Sequence, residues 1–444
     1  MRRGAGILFV ALAVSLVAAS SAVAGVNRWT SHGPRAGWID DLAVHPTRPR
    51  TVFADTSAGL FKTVNGGRRW RPLPGAPAET ALVAGFFAIS HQGSGTVYLA
   101  LEADENTGEG NGVFRSHDQG RTWEGPFTEG MFTRFNSIAI DPKRPGTLYV
   151  GQFHDFGLYK STDAGESWSF TGNFANVGPI AIHPVRSRTL YVAGSIWPDY
   201  ENGIFKSSDG GEAWAVSYPE GGRHLAIAPS RPATVYAATN DGIIVTTNGG
   251  ATWRKLSSTA GWIFIQGLVV DPTRARTVYA SIRERGVMKS VDGGKTWQAL
   301  NMGLPSIMEV GKLVIDPTGR TLHLALRDSR EGEGVSGIYD YTNATRATHG
   351  DDLLLGTRGV DVFRALAGND RVRTLARADR IHGGRGDDRI NPGIGRDMVF
   401  SGQGSDLINV RDRRADAVAC GGGFDTVRAD RRDSLARSCE VVSR

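Results

Sequence analysis

The sequence predicts an all-β protein, a seven-bladed β-propeller followed by a small parallel β-roll, and two repeats of different period predict it. From about residue 38 to residue 341 a frame of short apolar runs recurs roughly every 45 residues, the length of one four-stranded blade. After Thr342 the period falls to nine, each unit carrying an aspartate and, two residues on, an apolar side chain.

The first residues stand outside both repeats. Arg2 and Arg3 precede an apolar run from Ile7 to Ala19 and small residues ending Ala22-Val23-Ala24, the pattern of a secretory signal peptide cut before Gly25. An uncleaved anchor is the alternative, but the run is shorter than the ~20 apolar residues a span needs. No later segment is apolar enough to cross a bilayer, so residues 1–24 are read as the signal and the mature chain as a secreted, extracellular monomer. Its only cysteines, Cys420 and Cys439, suit one disulfide formed after export, the alternative being two free thiols. Closing that loop stabilises the tail by about 3 kcal/mol in the chain-entropy model. The net charge of +6 is small for 444 residues, with basic and acidic residues interleaved, so no nucleic-acid footprint is visible.

The blades, expected over residues 25–341, are marked by a turn that ends in tryptophan. One copy reads Ser161-Thr-Asp-Ala-Gly-Glu-Ser-Trp168, and others end at Trp70, Trp123, Trp214, Trp253 and Trp297. Around it lie three apolar runs, for instance Ile138-Ala-Ile, Thr147-Leu-Tyr-Val150 and Gly157-Leu-Tyr-Lys160, read as strands A, B and C, with Trp168 opening strand D. Pro142 and Gly146 fall in the A-to-B turn, where a central strand would reject a proline. A seventh frame, from Leu313 to Asp340, has no Trp-ending turn and so lacks its own strand D. Trp29-Thr-Ser-His-Gly-Pro34 resembles the other D strands and is expected to pair there and close the ring, removing exposed sheet edges. An eight-bladed ring or an open arc is the alternative.

In the tail, residues 342–444, aspartates fall at Asp352, Asp361, Asp370, Asp379, Asp388, Asp397 and Asp406, then at Asp416 and Asp425. The apolar partners are Leu354, Phe363, Val372, Ile381, Ile390, Val399, Ile408, Val418 and Val427. One turn and one short strand per nine residues would stack as a roll with these side chains inside.

The Trp-ending turns resemble the Asp-box, or BNR, repeat, and the resemblance spans most of the chain between Thr63 and Trp297. It implies a structural part for the turn: Ser or Thr and Asp satisfy backbone groups, glycine takes positive φ, and Trp packs on the neighbouring sheet. Asn65 and Asn248 replace Asp in two copies, as a structural role tolerates. The phrase Asp141-Pro-Lys-Arg-Pro-Gly-Thr-Leu-Tyr149 looks like propellers of the xyloglucanase, sortilin and photosystem II assembly-factor type, an architecture that hosts both hydrolases and binding proteins. Sialidases share the Asp box, but their Phe-Arg-Ile-Pro segment is absent. Xyloglucanases set their cleft between two propellers, and this chain has room for one.

The tail resembles hemolysin-type (RTX-like) repeats, which implies calcium as the cofactor. Calcium takes six to eight oxygen ligands, and glycine turns supply backbone carbonyls while the aspartate adds a carboxylate. The best copies give Gly384, Gly386 and Asp388; Gly393, Gly395 and Asp397; Gly402, Gly404 and Asp406; and Gly421, Gly423 and Asp425. Thr357, Leu366 and Leu375 replace the first glycine of the pair, Arg377 the second, and Arg414 interrupts the spacing before Asp416. The turns around Asp361 to Asp379 are therefore candidates for metal-free rungs.

In a propeller the B-to-C and D-to-A loops share the face that normally carries a site. Three B-to-C loops are expected to be long: Glu102 to Gly112, Ser195 to Gly203 and Arg327 to Gly337. They hold Asp104 and Glu105, then Trp197, Asp199, Tyr200 and Glu201, then Asp328 and Glu331, and the third blade adds His154 and Asp155. Aromatic rings beside carboxylates suit an extracellular glycan or a protein ligand, and a carboxylate pair could hydrolyse a glycoside. The sequence leaves three readings open: solvated loop tips, a binding or scaffold module, and a glycoside hydrolase.

Overall fold

The computed structural model describes residues 29–443, except residues 32, 35–37, 76, 78–84, 92–94, 102–111, 128–134, 154–156, 306–308, 328–336, 343–349 and 357–360. Seven four-stranded antiparallel sheets make a propeller, and two parallel sheets make a roll of about five turns after it. Helix is limited, among the described residues, to one short 3-10 turn at Ser257–Thr259, and no helix is long and apolar enough to cross a membrane.

Each blade runs A to D from the centre outward. In blade 3 the strands are Phe135–Ile140, Leu148–Gln152, Leu158–Ser161 and Ser169–Gly172. B strands such as Leu148–Gln152 and Val278–Ile282 are buried at every position, because neighbouring blades cover both faces. That is why they read as continuous apolar runs and not as alternation. D strands are outer edges, short and exposed, and one of them, Arg71–Pro72, includes a proline. Pro179 sits in the inner edge strand Phe174–Ile182, where the register shifts between Val177 and Ile180.

Blade 7 takes its fourth strand from the other end of the propeller. Trp29–Ser31 pairs antiparallel with Gly337–Thr342, aligning Trp29 with Tyr341 and Ser31 with Tyr339. Trp29 is 1% exposed, its ring centroid lies 5.2 Å from that of Tyr341, and its indole N–H donates to the Leu300 carbonyl.

The marked turns hold themselves together and bolt blade to blade. Ser161 Oγ donates to Asp163 Oδ1 at 2.8 Å and accepts the Gly165 N–H at 2.9 Å, while Asp163 Oδ1 accepts the Ser167 N–H at 2.9 Å. Hydrogen bonds from Ser167 pull the Asp163 carboxyl down to about 2. Asn65 and Asn248 accept the equivalent N–H of Arg69 and Thr252, so the amide does the same job. Between blades, Tyr149 Oη donates to the Gly210 carbonyl at 2.9 Å and Trp214 Nε1 to the Thr171 carbonyl at 3.1 Å.

The A-to-B turns show a substitution with a physical reason. Asp141 Oδ1 accepts the N–H groups of Lys143 and Arg144 at 2.8 and 3.0 Å. In blade 4 His183 Nδ1 accepts those of Val185 and Arg186 at 3.2 and 2.9 Å, and His45 does the same in blade 1. Burial lowers the pKa of both imidazoles, as a neutral nitrogen acceptor requires.

The roll has a six-stranded sheet, from Leu353–Leu355 through Arg371–Arg373, Arg389–Asn391, Leu407–Asn409 and Thr426–Arg428 to Val441–Ser443. A five-stranded sheet faces it, from Val362–Arg364 to Ser434–Leu435. Leu354, Val372, Ile381, Ile390, Val399, Ile408, Val418 and Val427 fill the space between, with Phe363 only partly buried. Cys420 and Cys439 form a disulfide that ties the last turn to the stack.

Candidate functional site

Most strands of the roll are entered from a turn whose aspartate faces along the stack. Asp388 Oδ1 accepts the N–H of Asp370 at 2.8 Å, Asp406 Oδ1 that of Asp388 at 2.8 Å, and Asp425 Oδ1 that of Asp406 at 2.9 Å. On the other edge Asp397 accepts from Asp379 and Asp416 from Asp397, both at 2.8 Å. Each carboxylate thus spends one oxygen on the rung before it. The second oxygen of Asp370, Asp379, Asp388, Asp397, Asp406, Asp416 and Asp425 is buried without a hydrogen-bond partner. Burial pushes Asp370 up to about 8, Asp388 and Asp416 to about 7 and Asp397 to about 6, and neighbouring aspartates add to the rise.

Glycines make this stacking feasible. Gly384, Gly386, Gly393, Gly402, Gly404 and Gly423 have positive φ, and a Cβ at Gly395 or Gly421 would run into the carbonyl of Arg377 or Gly402 in the preceding rung. Where glycine is missing the turn persists: Leu366 and Arg377 hold φ of 74° and 85° with a full side chain. The extra residue near Arg414 is absorbed by Arg413 at φ 69° and by Asp412 Oδ2, which accepts the Gly395 N–H at 2.7 Å. The aspartate ladder also runs past Asp425, where sequence reasoning stopped. Asp433 accepts from Asp416, and Glu440 Oε2 accepts the Asp425 N–H at 2.8 Å, a cap hidden by its changed spacing.

Among the described residues no three His, Cys, Asp or Glu side chains converge as a ready metal cluster. A cation in these turns has to draw most of its ligands from backbone carbonyls, with one carboxylate oxygen per turn. That donor set is all oxygen, which fits calcium and disfavours softer metals.

On the open face of the propeller one expected loop is corrected. Ser195 to Gly203 is a hairpin whose strands, Leu190–Ile196 and Glu201–Ser207, continue beyond the blade. Cross-strand pairing from Gly194↔Gly203 to Ile196↔Glu201 satisfies its backbone, leaving only four residues as the tip. Glu201 is therefore a strand residue. Trp197 and Tyr200 are 48% and 49% exposed, with Asp199 and Glu201 exposed beside them. Trp38, Phe153, Ile263 and Phe264 are exposed on the same face, at the ends of other A and B strands. Each lies just outside a strand, where no repeat pattern marks it. Asp104, Glu105, His154, Asp155, Asp328 and Glu331 lie outside the described residues.

A second feature sits in the inner strands of blade 1. Asp41 and Asp55 are cross-strand partners in blade 1, both buried. Asp41 accepts the Phe87 N–H at 3.0 Å and pairs with Lys312 of blade 7 at 2.9 Å, while Asp55 accepts the Gly85 N–H at 2.6 Å. Burial, with Asp40 and Asp41 adding, pushes Asp55 up to about 7. Fourteen positions apart in unremarked strands, the two carry no sequence signal.

A seven-bladed Asp-box-type propeller bearing a β-roll with calcium-type turns is the class these features define. The roll matches the RTX calcium-binding nonapeptide repeat over residues 347–376 and 373–408. The chain is 27% identical over 261 residues to a xyloglucanase of Hypocrea jecorina (strain QM6a), covering 54% of this chain and 28% of that protein. It is 29% identical over 155 residues to the xyloglucanase Xgh74A of Acetivibrio thermocellus, covering 32% of this chain and 16% of that protein. The chain spans less than a third of the length of these curated relatives. Among solved structures, the GH74 xyloglucanase from Xanthomonas campestris aligns with TM-score 0.55 and 20% identity, over 72% of this chain and 54% of that one. YCF48 from Cyanidioschyzon merolae aligns with TM-score 0.52 and 13% identity, over 71% and 98%. At these identities the likeness to solved structures shows the fold.

Proposed function

We propose that this chain is an exported polysaccharide-directed propeller, residues 25–341 behind a signal at 1–24, with a calcium-stabilised roll at 342–444. The observation that carries the glycan part is the set of exposed aromatic rings on the open face, Trp197 and Tyr200 above all, beside Asp199 and Glu201. Such rings stack on the apolar faces of sugars while the carboxylates accept hydroxyl hydrogens. The xyloglucanase relatives favour xyloglucan as the ligand. In the roll, the residues fitted to hold calcium are Asp388, Asp397, Asp406 and Asp425, with carbonyls of turns bearing Gly384, Gly386, Gly393, Gly395, Gly402, Gly404, Gly421 and Gly423. Bound there, calcium would neutralise buried carboxylate charge and stabilise the folded roll by mass action. Calorimetric titration with xyloglucan oligosaccharides tests the open face. Binding that Trp197→Ala and Tyr200→Ala each weaken is expected, and binding unchanged in both sinks this assignment.

The relatives also favour a second reading, hydrolysis of that glycan. Asp55, held at about 7 and facing an ion-paired Asp41, gives two carboxyl groups in unequal environments, as acid and base roles need. Their burial and their bonds to blade 2 rank it behind binding. Reducing-sugar release from xyloglucan that Asp55→Asn abolishes would reverse the order.

A further inference from the structure

We infer that the crevice between the outer strand of blade 6 and the six-stranded sheet of the roll binds an anionic glycan. The inference is independent of the open-face reading. The crevice encloses about 420 Å³, with Gln298 and Ala299 of blade 6 forming one wall. The other wall is the outward face of the sheet, where Arg371, Arg373, Arg389 and Arg428 stand with Asn391 and Asn409 among Leu353, Leu355 and Leu407. Arg371 and Arg389 are register partners on adjacent parallel strands, about 4.8 Å apart in backbone spacing. Like charges placed opposite one another destabilise a sheet. Among the described residues none of the four guanidinium groups has a hydrogen-bonding or ion-pairing partner, and exposed Asp387, which lines the adjoining hollow with Arg371 and Arg389, accepts the Ser405 N–H. The adjacent carboxylates, Asp370 and Asp388, are turned inward and committed to backbone N–H groups.

The facing sheet of the same roll shows what an occupied arginine looks like. There the Arg380 guanidinium lies 5.6 Å from the centre of the Phe400 ring, which in turn stacks on His382 at 4.6 Å. Arg380 is thus engaged by a ring of its own sheet, as the four crevice arginines are not.

Four guanidinium forks select planar or tetrahedral oxyanions, which they bind in pairs of parallel hydrogen bonds. Arg371 and Arg373 share one rung, Arg389 lies on the next and Arg428 two rungs further, beyond Leu407 and Asn409. The charge therefore runs along the stack and suits a charged polymer better than a single small ion, while the Asn391 and Asn409 amides suit hydroxyl groups. Uronate carboxylates and sulfate esters share this chemistry.

The test uses the full chain with calcium present, titrated calorimetrically with an oligogalacturonate, a sulfated dextran and neutral dextran as blank. Binding to at least one anionic probe is expected, with none to neutral dextran, and the two anionic arms say whether carboxylate or sulfate is preferred. Arg371→Gln with Arg389→Gln should weaken it about tenfold, and Arg396→Gln, an exposed turn residue outside the crevice, should leave it unchanged. If that double variant fails to fold by circular dichroism, Arg373→Gln with Arg428→Gln takes its place with an expected loss of about threefold or more. No binding to either anionic probe, or an equal loss in Arg396→Gln, overturns the proposal.

Discussion

Aspartate is the signature residue of both halves of the molecule, and the two halves finish its hydrogen bonding differently. In the propeller Asp163 is satisfied within its own hairpin: one oxygen accepts from Ser161 and the Ser167 backbone, the other from the Ser167 hydroxyl. Its pKa falls as a result. In the roll Asp388 is satisfied on one oxygen only, and its pKa rises because the other is buried with nothing to meet it. A turn that closes on itself needs no outside partner, whereas a turn that closes on the next rung leaves a row of oxygens for a cation. The propeller turn is thus complete in itself, and the roll turn keeps an oxygen for the calcium proposed above.

Removal of calcium is the harshest way to break that contrast. Chelation should melt the roll and leave the propeller transition in place, seen as loss of amide-exchange protection confined to strands after Leu353; equal protection with and without chelator would refute the division. Next in size, Trp29→Ala should cost the propeller about 3–5 kcal/mol by removing a fully buried ring from the closing strand, measured by denaturant unfolding. The paired substitutions Asp388→Asn and Asp163→Asn sharpen the comparison further. The first should lower calcium affinity roughly tenfold. The second should change stability by less than about 1 kcal/mol, since Asn65 and Asn248 already serve in its place.

Acid should act on the propeller through histidine. Burial holds His224 down from its ordinary 6.5 to about 4, so the unfolded chain takes up the proton first. Stability from this residue is complete above about 6.5 and is lost as pH falls toward 4, with His45 and His183 shifted in the same direction. His224→Gln should flatten that part of the pH–stability curve. An effect of opposite sign is expected at Leu366 and Arg377, where replacement by glycine should stabilise the roll by about 1 kcal/mol by relieving left-handed backbone.

Much of this was legible in the sequence because repeats announce themselves. Six Trp-ending turns, a seventh frame without one and the leftover Trp29 segment together imply ring closure, and the pairing of Trp29 with Tyr341 follows. The alternation of Asp388, Ile390, Asp397 and Val399 likewise carries the roll. What stayed hidden depends on contacts between repeats. Asp41 and Asp55 meet only through strand pairing, Glu440 replaces an aspartate out of step, and Trp38, Phe153 and Phe264 share a face only once the ring has closed. The Ser195–Gly203 segment reads as a loop because its polar tip resembles one, while its flanks have partners enough to remain strands.

The strand Trp29–Ser31 has a consequence in time. Thr30 pairs with Asp340 across 310 positions of sequence, so this strand cannot dock until the last blade exists. At a ribosomal pace of 5–20 residues per second that wait is roughly 15 to 60 s. Throughout it the chain is an unsealed ribbon, and the act that seals it is the meeting of its oldest and youngest propeller strands.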